Sequence, residues 1–305
     1  MRYYNTQEWI KPLLQITKSD TIQRLRFLLL FVAIFTAIIV FIERKYLNLS
    51  ENNSLKNLPV MHSILGFAIS MLLVFRTNSA YDRWWEGRKL WGGLVNSSRN
   101  LAIKLNAIIL DEQDRDYFQK CITNFPKELM IHMLKDSTKM ALDEEEAKMY
   151  QSALKSNHAP VEIVILLQNR IQQLYKQGKI TGDQLIIINP EVQSLLDICG
   201  ACERIKNTPI PYSYSSFIKK FVFIYSLSLP FGFAFSLGWY AIPVVTFIFY
   251  VLASLEIIAE EIEDPFGLDP NDLPMQTISK NIAVIVDAIF HEDDFEKAYN
   301  PNASI

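Results

Sequence analysis

Five carboxylates crowd one stretch, Glu256, Glu260, Glu261, Glu263 and Asp264, directly ahead of Pro265-Phe266-Gly267. On a helix Glu256 and Glu260 share a face at i,i+4 and Glu263 lies close to it, so the group has the residue types for acid–base work or for a pair of metal ions. A di-metal site of that kind needs a second carboxylate helix with a Glu-x-x-His element, which the sequence lacks. The alternative is neutralisation by Arg76, Arg83 or Arg88 on a neighbouring helix where a membrane ends, because a charge near a bilayer is costly unless paired. Cys199-Gly-Ala-Cys202 is a single CxxC on a helical pattern without the second pair of a four-thiolate zinc site, and Cys121 stands apart. The histidines His62, His132, His158 and His291 show no ligand spacing. There is no nucleophile elbow and no Gly-rich phosphate loop. The expectation is a protein that is not an enzyme and that holds no metal and no cofactor.

The elements that position these residues are largely apolar helices. The chain of 305 residues is 50% hydrophobic yet 21% charged, too apolar for an ordinary soluble domain and too charged for a bundle wholly in lipid. Four windows carry the excess: Phe27 to Ile42, Leu58 to Phe75, Phe221 to Leu237 and Tyr240 to Ile258. Each is a little short of the ~20 residues that cross a ~30 Å hydrocarbon core. Flanking residues extend them while Arg24, Arg26, Arg44 and Lys45 reach outward to the interface. Arg24 and Arg26 precede the first span, Arg76, Arg83, Arg88 and Lys89 follow the second, and Lys206, Lys219 and Lys220 precede the third. By the positive-inside rule both termini face the cytoplasm, and the loops near Asn48 and Trp239 face outward. Arg44, Lys45 and Lys56 weaken that bias without reversing it. No cleavable signal peptide is expected at the start. The net charge of −3 says little about partners, but no basic stripe interleaved with aromatics is present, so no nucleic-acid partner is expected.

The second window is the most informative. It passes without a break into Arg76, Asp82, Arg83, Glu86, Arg88 and Lys89, which describes an apolar helix continuing into water. Within it Phe67, Met71 and Phe75 are four residues apart, and at ~40° of drift per step they form a stripe on one face. Composition alone admits helix packing for that stripe, since Gly66, Ala68 and Ser70 permit close contacts. Between the second and third windows the periodicity predicts helices over Asn96 to Leu110, Arg115 to Leu134, from Asp143 to Glu146 onward, Val161 to Gln177 with a stop at Gly178, and Glu191 to Lys206. A last helix is predicted over Met275 to Phe290, and no strand pattern exceeds Leu185 to Ile188. The fold class is all-α.

Three blocks then resemble the prokaryotic branch of the bestrophin family: Phe75-Arg76-Thr77-Asn78-Ser79-Ala80-Tyr81-Asp82-Arg83-Trp84-Trp85-Glu86-Gly87-Arg88, Cys202-Glu203-Arg204-Ile205 with Thr208-Pro209-Ile210-Pro211, and Glu260-Glu261-Ile262-Glu263-Asp264-Pro265-Phe266-Gly267 with Asn271-Asp272-Leu273-Pro274. They occur in family order over nearly the whole chain. The resemblance implies a multi-pass membrane protein, a single domain over 1–305, with four transmembrane helices at about 25–43, 58–76, 220–237 and 240–259 and a large cytosolic helical region at about 77–219 and 260–305. It implies a passive, homopentameric ion channel of the bacterial inner membrane, whose partners are other copies of itself, the lipid bilayer and the permeating ions. Chloride is the ion by family default. A sodium or potassium channel of the same fold is the first alternative and a secondary transporter the second, for which His62 alone is thin support. A redox scaffold built on Cys199 and Cys202 is a further class.

The resemblance places the narrow neck of the pore at Phe67, Met71 and Phe75, where five copies of an apolar stripe would make stacked rings that stop ions by dewetting. It places a second constriction, the cytosolic aperture, a few residues past Gly178-Lys179-Ile180, which falls on Asp183; the other register puts Ile180 in the ring. Five carboxylates there would favour cations. The acidic run by which eukaryotic relatives bind calcium after Pro-Phe-Gly is here the interrupted Leu268-Asp269-Pro270-Asn271-Asp272-Leu273, so no calcium gating is expected.

Overall fold

Helices account for every regular element among the described residues, which in this computed structural model are 20–47, 57–134 and 158–291. They are α1 (Asp20–Ile42), α2 (Leu58–Ile108), α3 (Glu112–Leu134), α4 (Ala159–Lys176), α5 (Gly182–Asn207), α6 (Tyr212–Leu237), α7 (Ala241–Glu263) and α8 (Met275–Phe290). The expected helix at Asp143 to Glu146, the loop near Asn48 with Lys56, and both termini lie outside the described residues. The chain divides into two compact units. One takes residues up to Arg83 together with Pro209–Glu263, and the other takes Trp84–Thr208 and the chain from Asp264 onward.

The first unit holds α1, the first half of α2, α6 and α7. Its core is Val32, Ile69, Leu73, Ile218, Val222, Tyr225, Leu229, Val245 and Phe249. Around that core the outward side chains are also large and apolar: Phe27, Leu30, Phe31, Ile34 and Ile38 on α1, Ile224, Phe231 and Phe235 on α6, and Phe247 and Val251 on α7 are all exposed. Apolar residues on both the inner and the outer faces are what a helix in hydrocarbon requires, because every backbone group is satisfied within the helix and water is absent. The 23 residues of α1 extend about 35 Å, enough to cross a bilayer core. Between α6 and α7 the chain reverses over Gly238–Tyr240. Gly238 has φ +54°, a backbone conformation that favours glycine.

The second unit is a bundle of the second half of α2 with α3, α4, α5 and α8. Trp91, Leu94, Leu101 and Leu105 of α2 meet Phe118, Ile122, Phe125 and Leu129 of α3, Leu167 and Ile171 of α4, Leu195 of α5 and Ile282 and Val286 of α8 in one core. The end of α8 is tied down by side chains, with Asn106 donating to the Ile289 carbonyl and Arg115 to that of Phe290. Asp114, fully buried, accepts from Arg170 Nε at 2.7 Å and from Lys179 Nζ at 3.2 Å. Lys179 also bonds Asp111 and holds that carboxyl below its ordinary range. After α4 the chain turns at Gly178 (φ +72°), as the sequence predicts.

Helix α5 begins well before the expected Glu191. Thr181 and Gln184 form a reciprocal capping box, which starts the helix at Gly182 and draws the strand-like run Leu185 to Ile188 into it. By length and composition α5 is apolar enough to cross a membrane. However, its apolar residues Ile188, Val192, Leu195, Ile198, Cys199, Cys202 and Ile205 belong to the core of the second unit, and its other positions include Glu191, Asp197, Glu203, Arg204 and Lys206. The 52-residue stretch Tyr212–Glu263, by contrast, holds two helices. The membrane spans are therefore read as α1, the first half of α2, α6 and α7.

Candidate pore-lining helix and charge cluster

Helix α2 runs unbroken for 51 residues, so the expected apolar-to-polar continuation is a single helix. Its inner face in the first unit is the series Ile69, Leu73, Arg76 and Ala80, each at most 1% exposed. The sequence-selected stripe lies on the other side: Phe67 is 70%, Met71 42% and Phe75 56% exposed. These three side chains are thus largely outside the core of the first unit. Over the eight steps from Phe67 to Phe75 the stripe covers about 12 Å of helix. Of the small residues, Gly66 does serve close contact, since a Cβ there would stand 2.6 Å from the Tyr225 hydroxyl. Ser70 instead is exposed and donates to the Gly66 carbonyl of its own helix. Behind the stripe, Tyr225 Oη donates to the His62 carbonyl at 3.1 Å, and His62 Nε2 lies 3.1 Å from Ser228 Oγ. His62 is thus packed against α6 and buried.

One turn below the stripe the carboxylates find cations. Arg76, 1% exposed, donates from Nη2 to Glu263 Oε2 at 2.6 Å, and its Nε is 3.5 Å from Glu256 Oε1. Glu263 Oε1 also accepts from the Ile210 backbone N–H at 2.7 Å, and Arg83 Nε donates to the Glu263 carbonyl at 3.0 Å. Charge neutralisation is what the geometry does here. Two pairings differ from the expectation that α2 supplies every cation: Glu260 is bonded to Lys219 of α6 at 2.9 Å, and Glu261 pairs with Arg24 of α1 at 3.4 Å. Asp264 is no partner of an arginine in the described contacts but accepts from the Phe266 N–H at 3.2 Å, shaping the Pro265-Phe266-Gly267 turn.

In the second unit the conspicuous motifs meet one another. Trp84 Nε1 donates to the Asn271 carbonyl at 3.0 Å, and Arg204 bonds Glu86 at 2.7 Å. Gly87 lies against the Pro265 and Phe266 rings, leaving no room for a side chain: a Cβ would sit 3.0 Å from Pro265 Cγ. Asp272 is buried and accepts from the Asp269 N–H at 2.6 Å, so its carboxylate closes the turn after Pro-Phe-Gly. Of the two aperture candidates Asp183 is exposed on the first turn of α5, whereas Ile180 is 2% exposed in the core of the second unit. Sequence reasoning missed Ile186 and Ile187, exposed apolar residues three and four positions after Asp183 and so on its face of the helix. Cys199 and Cys202 are buried in helix packing, and burial pushes the Cys121 thiol up. The histidines are less scattered than their spacing suggests: His132 and His158 both approach Glu203.

The family profile for bacterial and fungal bestrophin proteins matches residues 1–288. The chain belongs to the bestrophin family. A protein of Nostoc sp. (strain PCC 7120) named a voltage-dependent anion channel-forming protein is 36% identical to this bestrophin over 241 residues, 75% of this chain and 78% of that protein. Voltage-dependent anion channel-forming protein YneE of Escherichia coli (strain K12) is 28% identical over 95% of this chain and 93% of its own. The crystal structure of a bacterial bestrophin homologue from Klebsiella pneumoniae superposes with a TM-score of 0.74 at 28% identity, covering 87% of this bestrophin and 98% of that chain. This bestrophin is accordingly an all-α, multi-pass membrane protein.

Proposed function

We propose that the chain is the subunit of a homopentameric channel of the bacterial inner membrane that passes small anions, chloride above all, through a pore whose neck is made by Phe67, Met71 and Phe75. The observation that carries this reading is the exposed stripe. Three large apolar side chains stand clear of their own subunit on the helix whose opposite face is buried against α6 and α7. A ring of five such helices brings the stripe to an axis and forms three stacked apolar constrictions, which pass ions only when wetted. The printed names of the relatives, voltage-dependent anion channel-forming proteins, support the anion. Both termini are cytoplasmic in this reading, and the second unit is a cytosolic vestibule with Asp183 at its exit. The membrane-edge cluster of Arg76, Arg83, Glu256 and Glu263 fixes the end of α7 against α2 beneath the neck.

One observation favours a second reading within the same class. Asp183 is an exposed carboxylate, and five copies at a narrow exit would concentrate cations and repel chloride. Sodium or potassium conduction is therefore the competing outcome. Liposomes loaded with potassium chloride and carrying the purified protein separate the two. Chloride release on addition of valinomycin, with no potassium release in its absence, supports the anion pore. Potassium release balanced by a proton carrier supports the cation pore, and no ion release from liposomes that hold assembled protein refutes both.

A further inference from the structure

We infer that the second unit holds a divalent transition-metal site of the zinc class, formed by His132, His158 and Glu203; this goes beyond the channel reading and does not depend on it. His132 lies in the last turn of α3, His158 is the residue before α4, and Glu203 is on the last two turns of α5. Each residue can turn one ligand atom to a common point, since those atoms all lie within 4.8 Å of one another. His132 Nε2 is 2.7 Å and His158 Nε2 2.8 Å from the same oxygen, Glu203 Oε1, and the two rings stand 4.5 Å apart. Two imidazoles and one carboxylate match zinc in donor type, and three protein ligands leave the fourth tetrahedral position to water.

The spacing fits the change that binding requires. Without metal, two ring nitrogens share one carboxylate oxygen at hydrogen-bond distance. Around a zinc ion with ~2.1 Å bonds, tetrahedral donors stand roughly 3.4 Å apart, so each nitrogen needs to withdraw from the carboxylate oxygen by only about 0.6–0.7 Å. The three supports are firmly held: Met133 and Leu134 beside His132, Pro160 and Val164 after His158, and Cys199 and Cys202 beside Glu203 are all buried. The three groups are partly exposed, from 20% for His132 to 40% for His158, which gives an ion a way in from water. Bound metal would join the end of α3, the start of α4 and α5, tying together residues 132 and 158 across the intervening chain.

The test uses the full-length protein in detergent, freed of metal with a chelator and then dialysed against zinc chloride alone. The expected result is one zinc per chain by elemental analysis after desalting, with a rise in the thermal midpoint on zinc addition. Cobalt(II) in place of zinc should give the intense visible absorption of a four-coordinate site. His158→Ala, Glu203→Gln and His132→Ala should each weaken zinc binding at least ten-fold and abolish the cobalt spectrum. His158→Gln, at the most exposed of the three positions, is the variant that retains the fold, as checked by helical circular dichroism. Zinc content at background in the parent protein, or stoichiometric binding that survives in a folded His158→Gln protein, would overturn the site and leave the cluster a hydrogen-bonded ion group only.

Discussion

Replacing Arg76 by methionine should destabilise the first unit more than any other single change at its surface or charge cluster. The arginine is 1% exposed and faces two carboxylates, Glu263 at 2.6 Å and Glu256 at 3.5 Å. Glu263 keeps the Ile210 N–H when the guanidinium goes, and its side chain is 14% exposed, so part of its charge remains compensated. The Glu256 side chain, 4% exposed, is the one left in poor surroundings. Breaking a buried pair by removing one partner costs about 3–5 kcal/mol, and Arg76→Met belongs at that level. Arg76→Lys should lose roughly 1–2 kcal/mol, because an ammonium is a single point charge and cannot serve two carboxylates from separate nitrogens. Glu263→Gln should cost about 1–2 kcal/mol, as the amide oxygen still accepts from Ile210. In the double variant Arg76→Met/Glu263→Gln the loss should fall short of the sum by at least about 1 kcal/mol, the signature of direct coupling. Thermal unfolding in one detergent, followed by intrinsic fluorescence with the parent as reference, measures the cycle. Strict additivity, or an Arg76→Met protein within about 0.5 kcal/mol of the parent, would show that Arg76 only fills space.

Native mass spectrometry in mild detergent should find a species of five chains, each about 35 kDa, and a monomer or dimer as the only species would refute the ring. Truncating Phe67, Met71 and Phe75 together to alanine should raise unitary conductance several-fold with little loss of stability, since all three side chains are exposed in the subunit; unchanged conductance in an assembled protein would assign the stripe to packing between copies. Asp183→Asn should move the reversal potential toward the chloride equilibrium potential, and a mutant identical to its parent would place the exit constriction elsewhere, with Ile186 and Ile187 the next residues to truncate. Maleimide at neutral pH should label Cys199 and Cys202 at least ten-fold more slowly in the native protein than after denaturation, because both are buried; fast labelling with altered activity would revive a redox role.

Much of this was legible in the residues because it rests on local pattern. The unbroken α2, the stop at Gly178, the Gly238 reversal and the amphipathic α8 follow from hydropathy period and backbone chemistry. Which face of α2 is buried was not legible: composition alone admits packing for Phe67, Met71 and Phe75, whereas the chain buries Ile69, Leu73, Arg76 and Ala80. What was not legible depends on contacts between distant segments. Nothing in the sequence says that Glu260 faces Lys219, that Glu261 faces Arg24, or that His132 and His158 converge on Glu203, since helix packing alone sets those distances. Ile180 was equally ambiguous: an apolar residue just past a turn suits a ring and a core alike, and only packing between distant helices shows that it is buried. The early start of α5 was hidden because a run rich in isoleucine suggests strand, whereas the Thr181–Gln184 box nucleates helix.

The reversal potential of unitary currents through purified protein in a planar bilayer, under a potassium chloride gradient, bears most directly on the claim of an anion pore. The account predicts stepwise currents that reverse near the chloride equilibrium potential and grow in amplitude when Phe67, Met71 and Phe75 are truncated. Currents that reverse near the potassium equilibrium potential, or ion transport without unitary steps, would contradict it.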